Sequence, residues 1–159
     1  MTIKVGDRIP DAQLRVMTPD GPESLPTQQY FKGRKVVLFS VPGAFTPTCS
    51  ARHLPGFIEH ADDFFQRGVQ AIGCMAVNDV FVMDAWGISA GAASIDMLAD
   101  GNGEFTAALG LELDATGWAM GHRSQRFALV ADDGDITHLF VEAPGEFLVS
   151  SAEHVLAQL

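Results

Sequence analysis

The sequence predicts one α/β domain in which a central mixed β-sheet is flanked by helices. Three features predict it. Apolar, β-branched runs at Val36–Val41 and Val69–Val77 read as core strands buried on both faces. Between them Leu54, Phe57, Ile58, Ala61, Phe64 and Phe65 recur at helical spacing, which gives a helix with one buried face. Near the C-terminus, Phe127–Ala131 and Ile136–Val141 are joined by Asp132-Asp133-Gly134-Asp135, a hairpin signal. Strands that alternate with helices pair in parallel, and a terminal hairpin adds antiparallel strands, so the sheet is mixed. A chain of 159 residues is the size of a single domain, here 1–159, with a sizeable core.

The elements follow in order. Residues 9–17 alternate loosely through Ile9, Leu14 and Val16, which suits an edge hairpin, and Thr18-Pro19-Asp20-Gly21-Pro22 is a turn by composition. Thr27–Phe31 fits a short helical turn, and Lys32, Arg34 and Lys35 form a solvated entry to the first core strand. Pro42 and Gly43 end that strand. The long helix carries Pro55 near its second turn, where a missing N–H should loosen it, and Gly68 closes it. Asn78-Asp79 caps a helix over Val80–Ser89, in which Gly87 costs about 1 kcal/mol relative to alanine. Ile95–Leu98 is a short strand, Asp100–Gly103 a turn, Glu104–Leu109 a short helix ended by Gly110, and Gly117–Arg123 a loop. Ser150 with Glu153 reads as the capping box of a last helix that ends at Leu159.

Composition narrows the function. Apolar residues make up 47% and charged residues 19%, which suits a compact globule. The net charge of −10 disfavours nucleic acid and anionic membrane as partners. No apolar run approaches the length of a membrane span, and the N-terminus lacks the apolar core of a secretory signal. Two cysteines do not make a disulfide scaffold and fit a reducing compartment. The cytoplasm is therefore expected, with an organellar mature form left open. The histidines, at 53, 60, 122, 138 and 154, are scattered, and no C-x-x-C pair occurs, so neither a metal site nor a dithiol oxidoreductase is expected.

The stretch Pro42-Gly43-Ala44-Phe45-Thr46-Pro47-Thr48-Cys49 leads from the first core strand into the long helix. It places Cys49 at a helix start, where unpaired N–H groups and the macrodipole favour an anion. A thiol there ionises more readily, and the thiolate is the nucleophile. The competing reading is a small buried hydrophobe, the fate of most free cysteines.

This stretch, continued by Ser50, resembles the peroxidatic-cysteine motif of the peroxiredoxins in its type II/type 5 form. Further matches follow in order over nearly the whole chain: His53-Leu54-Pro55-Gly56-Phe57, Val77-Asn78-Asp79, Ala99-Asp100-Gly101, Arg123-Ser124-Gln125-Arg126-Phe127-Ala128 and Gly145-Glu146-Phe147. The resemblance implies a thioredoxin-like fold and a thiol-specific peroxidase. Such an enzyme would reduce hydrogen peroxide and small alkyl hydroperoxides to water and alcohols, without a cofactor. It implies that Cys49 attacks the peroxide and becomes a sulfenic acid. Thr46 offers a hydroxyl to the sulfur and the peroxide oxygen, Arg126 supplies a fixed positive charge, and Pro42 packs over the thiol. Arg123 and His53 are supporting residues, His53 sharing a helix face with Cys49.

Cys74, in mid-strand, is either an inert core thiol or the resolving cysteine that some members of the subgroup carry there. Glutathione with glutaredoxin, or thioredoxin, is the implied reductant in the cell's redox homeostasis, and a homodimer the implied assembly. The segment around Trp118 and Met120 is the candidate contact. Phe45, Pro42 and Trp118 would favour alkyl substrates. Two other readings stay open: a peroxide sensor or redox-dependent binding module without sustained turnover, and a cysteine hydrolase that uses Cys49 with a histidine.

Overall fold

A computed structural model describes residues 1–159. Its seven-stranded sheet runs in the order β2 (Gly21–Pro26), β1 (Gln13–Thr18), β5 (Asp96–Ala99), β4 (Ala71–Ala76), β3 (Lys35–Ser40), β8 (Phe127–Asp132) and β9 (Asp135–Val141), with a separate ribbon of β6 (Glu112–Asp114) and β7 (His122–Ser124). The central strands are β3 (Lys35–Ser40), parallel to β4 (Ala71–Ala76), which is in turn parallel to β5 (Asp96–Ala99). On the other side of β3 lie β8 (Phe127–Asp132) and β9 (Asp135–Val141), both antiparallel to their neighbours. They turn through Asp133 and Gly134, both at positive φ (50° and 81°), the geometry that the hairpin signal calls for.

Alternation along β3 divides the core into two layers. Val37 and Phe39 face α2 (Leu54–Gln66), α3 (Val80–Ala90) and α5 (Ala152–Ala157); Val36 and Leu38 face α1 (Thr27–Phe31) and α4 (Glu104–Leu109). Because both faces are covered, β4 and the Val36–Phe39 stretch of β3 are apolar instead of alternating with polar residues. Phe39 stacks on Phe57 at 4.1 Å, and Phe57 packs on Phe64 at 5.5 Å, so the long helix lies along the sheet.

The edges depart from expectation. The N-terminal hairpin is β1 (Gln13–Thr18) with β2 (Gly21–Pro26), tighter than a turn over residues 18–22. Pro22 and Pro26 hide β2 from pattern reading, and an outer strand tolerates them because one side needs no N–H donors. The 117–123 segment is not all loop: a turn of 3₁₀-helix spans Thr116–Trp118, and β7 (His122–Ser124) pairs with β6 (Glu112–Asp114). The last helix is capped by Ser151, which accepts from the His154 N–H, and not by Ser150. The expected Ser150–Glu153 capping box does not form, because Ser150 is buried and bonded to Glu142.

Gly87 shows packing overriding propensity. A Cβ there would lie 2.6 Å from Met97 Cγ, so the helix is glycine because β5 presses against it. Gly87→Ala is expected to destabilise the fold by about 1–2 kcal/mol, where helix propensity alone predicts a gain of about 1 kcal/mol. Urea unfolding monitored by circular dichroism decides the sign.

Candidate active site

The sheet register builds the site. Ser40 of β3 pairs with Phe127 of β8. Chain leaving β3 towards Cys49 and chain entering β8 through Arg126 therefore pass the same sheet edge side by side. After Val41, whose N–H still donates to Met75 O (3.0 Å), the chain turns at Gly43–Thr46. Gly43 is packed tightly: a Cβ would meet Met120, Thr46 and Arg123 at 3.2–3.3 Å. Asn78 Oδ1 accepts the Ala44 N–H at 2.9 Å, and Phe45 is held at φ 64° with half its ring exposed.

The Thr46 carbonyl then accepts the Ser50 N–H (2.9 Å), and Pro47 occupies the first helical position, where no N–H is needed. Cys49–His53 form a π-helical turn, with the Leu54 N–H donating to Cys49 O, before α2 begins. Pro55 falls at the start of α2, so the helix passes through it with a widened turn instead of breaking. The Thr48 and Cys49 amides sit in the open first turn without a protein acceptor.

Cys49 is completely buried. Arg126 Nη2 donates to Cys49 Sγ at 3.2 Å. Its Nη1 lies 2.9 Å from His53 Nδ1, and His53 Nε2 lies 2.9 Å from Ser150 O. A guanidinium can only donate, so Nδ1 must accept, and the imidazole proton must sit on Nε2 and point at the Ser150 carbonyl. His53 is therefore neutral. Burial, reinforced by the Arg126 charge, pulls its pKa from 6.5 to about 3. None of the ion pairs in the structure involves Arg126, so no carboxylate lies within ion-pair distance of its guanidinium. What it meets is a neutral imidazole, a sulfur and, 5.7 Å away, the Phe147 ring.

The other expected residues fall at different distances from the sulfur. Thr46 Oγ1 donates to Gly43 O (2.8 Å), which leaves its lone pairs free and makes no bond to Sγ. Arg123 does not reach the sulfur; it ties Met120 O (2.8 Å) to Val77 O (3.3 Å) beneath the turn. Pro42 and Arg126 line a cavity of about 380 Å³ with Trp118 and Phe147. Trp118, 83% exposed, stands at its edge. Cys74 lies between Phe39 and Met97 in the central strands, fully buried and not disulfide-bonded. Burial, with a smaller contribution from nearby Cys49, raises its thiol well above the ordinary value. A larger, more apolar groove of about 440 Å³ along α3 contains no thiol and lies apart from this chemistry.

Pattern reading missed Glu142 and Ser150. Nothing in local sequence marks them, because they act across the fold. Phe147 belongs to a matched motif, but its contacts were invisible: its ring lies 4.9 Å from His53 and 4.7 Å from the Arg52 guanidinium.

The redoxin family model matches residues 4–156, nearly the whole of this two-layered α/β chain. The chain belongs to the peroxiredoxins and is a thiol peroxidase that reduces hydroperoxides. It is 51% identical to peroxiredoxin-2E-2, chloroplastic, of rice (Oryza sativa subsp. japonica), over 99% of this chain and 73% of the relative. It is 47% identical to peroxiredoxin-2B of Arabidopsis thaliana, over 99% of this chain and 98% of that one. The crystal structure of a reduced Prx3 from Vibrio vulnificus in complex with hydrogen peroxide superposes with a TM-score of 0.97 and 51% identity, covering 99% of both chains.

The neutral His53 makes stability depend on pH. Its folded pKa, about 3, is below the unfolded value of 6.5, so the unfolded chain takes up the proton first as pH falls. The contribution is complete above pH 6.5 and is lost progressively towards pH 3. At pH 5 this amounts to about 2 kcal/mol relative to pH 7. Subtracting the pH profile of His53→Gln from that of the wild type, by denaturant titration, should recover this slope.

Proposed function

We propose that Cys49 is the peroxidatic thiolate, with Arg126 as its charge partner and Thr46 and Pro42 shaping the peroxide position. The 3.2 Å contact between Arg126 Nη2 and Cys49 Sγ carries this reading. A guanidinium-to-sulfur hydrogen bond is stronger when the sulfur is charged, and here no carboxylate competes for the donor. The sulfur lone pair attacks the terminal oxygen of the hydroperoxide. An S–O bond forms, the O–O bond breaks, and the alkoxide or hydroxide leaves and takes up a proton as alcohol or water. The sulfur is oxidised by two electrons to sulfenic acid, and the peroxide is reduced by two. Arg126 and the open Thr48 and Cys49 amides are donors suited to the charge on the departing oxygen, while a Thr46 lone pair can accept a hydrogen bond from the peroxide O–H, whose proton stays on the transferred oxygen.

Recycling is proposed to use an external thiol, glutathione with glutaredoxin or thioredoxin. One thiol condenses with the sulfenic acid and releases water; a second reduces the mixed disulfide and restores Cys49. The burial and raised pKa of Cys74 support an external partner over an internal one, since a protonated thiol is a poor attacking group. Pro42, Trp118 and Phe147 give the cavity apolar walls that suit a small alkyl tail. A homodimer is proposed through the segment around Trp118 and Met120, where the Trp118 ring is largely exposed. Two free cysteines suit a reducing compartment, and the cytoplasm is the proposed one. The hydrolase alternative is disfavoured, because both nitrogens of His53 are engaged and neither faces the sulfur as a base.

Peroxide consumption with each reductant tests this reading. Cys49→Ser should abolish it, Arg126→Gln should lower the oxidation rate by about 10²–10³, and Cys74→Ser should keep turnover. Oxidation of Cys49 without turnover in any reductant would favour a sensor. A 49–74 disulfide after one equivalent of peroxide, seen by mass mapping, would make Cys74 the resolving thiol.

A further inference from the structure

We infer that Glu142 is a positioning residue for the peroxidatic centre: its carboxylate locks the 142–150 strap so that the Ser150 carbonyl fixes His53 as the neutral acceptor that aims Arg126 at Cys49. Glu142 is a carboxylate only 6% exposed that forms no ion pair. One of its oxygens, Oε2, accepts three hydrogen bonds: from Leu148 N–H (2.8 Å), Ser150 N–H (2.8 Å) and Ser150 Oγ (2.6 Å). At the other end of the residue, the Glu142 N–H donates to Arg126 O (3.0 Å). One residue thus grips the arginine backbone and the strap whose carbonyl selects the histidine tautomer.

The consequence is chemical, not only architectural. If the Ser150 carbonyl moves away, the Nε2 proton loses its buried acceptor, and the Arg126 donor is the one group left to hold the tautomer. With the proton on Nδ1, the ring would present an N–H to the guanidinium, donor against donor, and Nη1 would turn away. Because Nη1 and Nη2 belong to one rigid fork, the bond from Nη2 to sulfur would be lost with it. The three hydrogen bonds to Oε2 outweigh the effect of burial and hold the Glu142 carboxyl below its ordinary value, so the latch stays charged at neutral pH.

This inference rests on the proposed roles of Cys49 and Arg126, so the test has an arm that involves no turnover. Histidine-selective ¹⁵N NMR of the full chain should show His53 protonated at Nε2 alone. In Glu142→Ala that pattern should be lost, and the rate of Cys49 oxidation by hydrogen peroxide should fall about tenfold or more through misalignment. Glu142→Gln keeps an amide oxygen that can accept the same three bonds, and should restore both readouts. Three results would overturn the proposal: wild-type His53 protonated at Nδ1, Glu142→Ala oxidised within twofold of the wild-type rate, or a slower Glu142→Ala with an unaltered His53 pattern. If Glu142→Ala does not fold, Ser150→Ala removes one of the three bonds and should shift both readouts in the same direction; no shift in either also overturns it. If Cys49→Ser still consumed peroxide, the reading of Cys49 would fail while the tautomer result stood.

Discussion

The structure is arranged around an arginine whose charge has no acid to spend itself on. Buried or half-buried guanidinium groups are usually matched by carboxylates, since an unpaired charge is expensive to desolvate. Arg126 is matched instead by His53 Nδ1 and Cys49 Sγ. An imidazole satisfies one arm of the fork by hydrogen bonding without cancelling its charge. A glutamate at the same place would hold the arginine as firmly but neutralise it, and the sulfur would feel a dipole instead of a cation. The neutral histidine therefore orients the guanidinium while leaving its field available to the sulfur.

Everything else delivers these groups to one point. The pairing of Ser40 with Phe127 sets the two chain segments side by side at the sheet edge, which closes a sequence separation of 77 residues. The apolar layer of Phe39, Phe57 and Phe64 seats the helix, and Phe39 and Phe147 flank the histidine ring. Arg123, absent from the chemistry, keeps the Met120 and Val77 loops tied under Gly43. The same packing that supplies stability thus supplies alignment, and alignment is what a reaction with a small, weakly held peroxide depends on.

Much of this was legible in the sequence, for identifiable reasons. β3, β4, the long helix and the β8–β9 hairpin announce themselves through apolar period and turn chemistry, and Cys49 through its place between strand and helix. The strand β2 was hidden by two prolines that only an edge position excuses. The Ser150 capping box failed because the pattern S-x-x-E cannot tell a cap from a serine buried against a distant carboxylate. Gly87 looked like a weakness because propensity knows nothing of Met97. Arg126 came from family resemblance alone, and Glu142 from neither source: a residue that acts by holding a carbonyl leaves no local mark.

A tension remains between burial and turnover. Cys49 is fully covered, and the neighbouring cavity is lined by Pro42, Thr48 and Arg126 and not by the sulfur itself, so a thiol on a bulky reductant cannot meet the sulfur without movement. The helix start is where such movement is least opposed. Its first amides are unbonded, its next turn is wound wide as a π-helix, and Pro55 withholds an N–H where the regular ladder begins. Each feature removes or stretches a hydrogen bond that opening would otherwise have to break. The arginine contact to sulfur supplies the opposing restraint. In the proposed cycle, conversion of the sulfur to a neutral sulfenic acid removes the attraction of opposite charges across its bond to Nη2. The proposed oxidation that calls for a reductant would therefore also weaken the contact that keeps the sulfur inside.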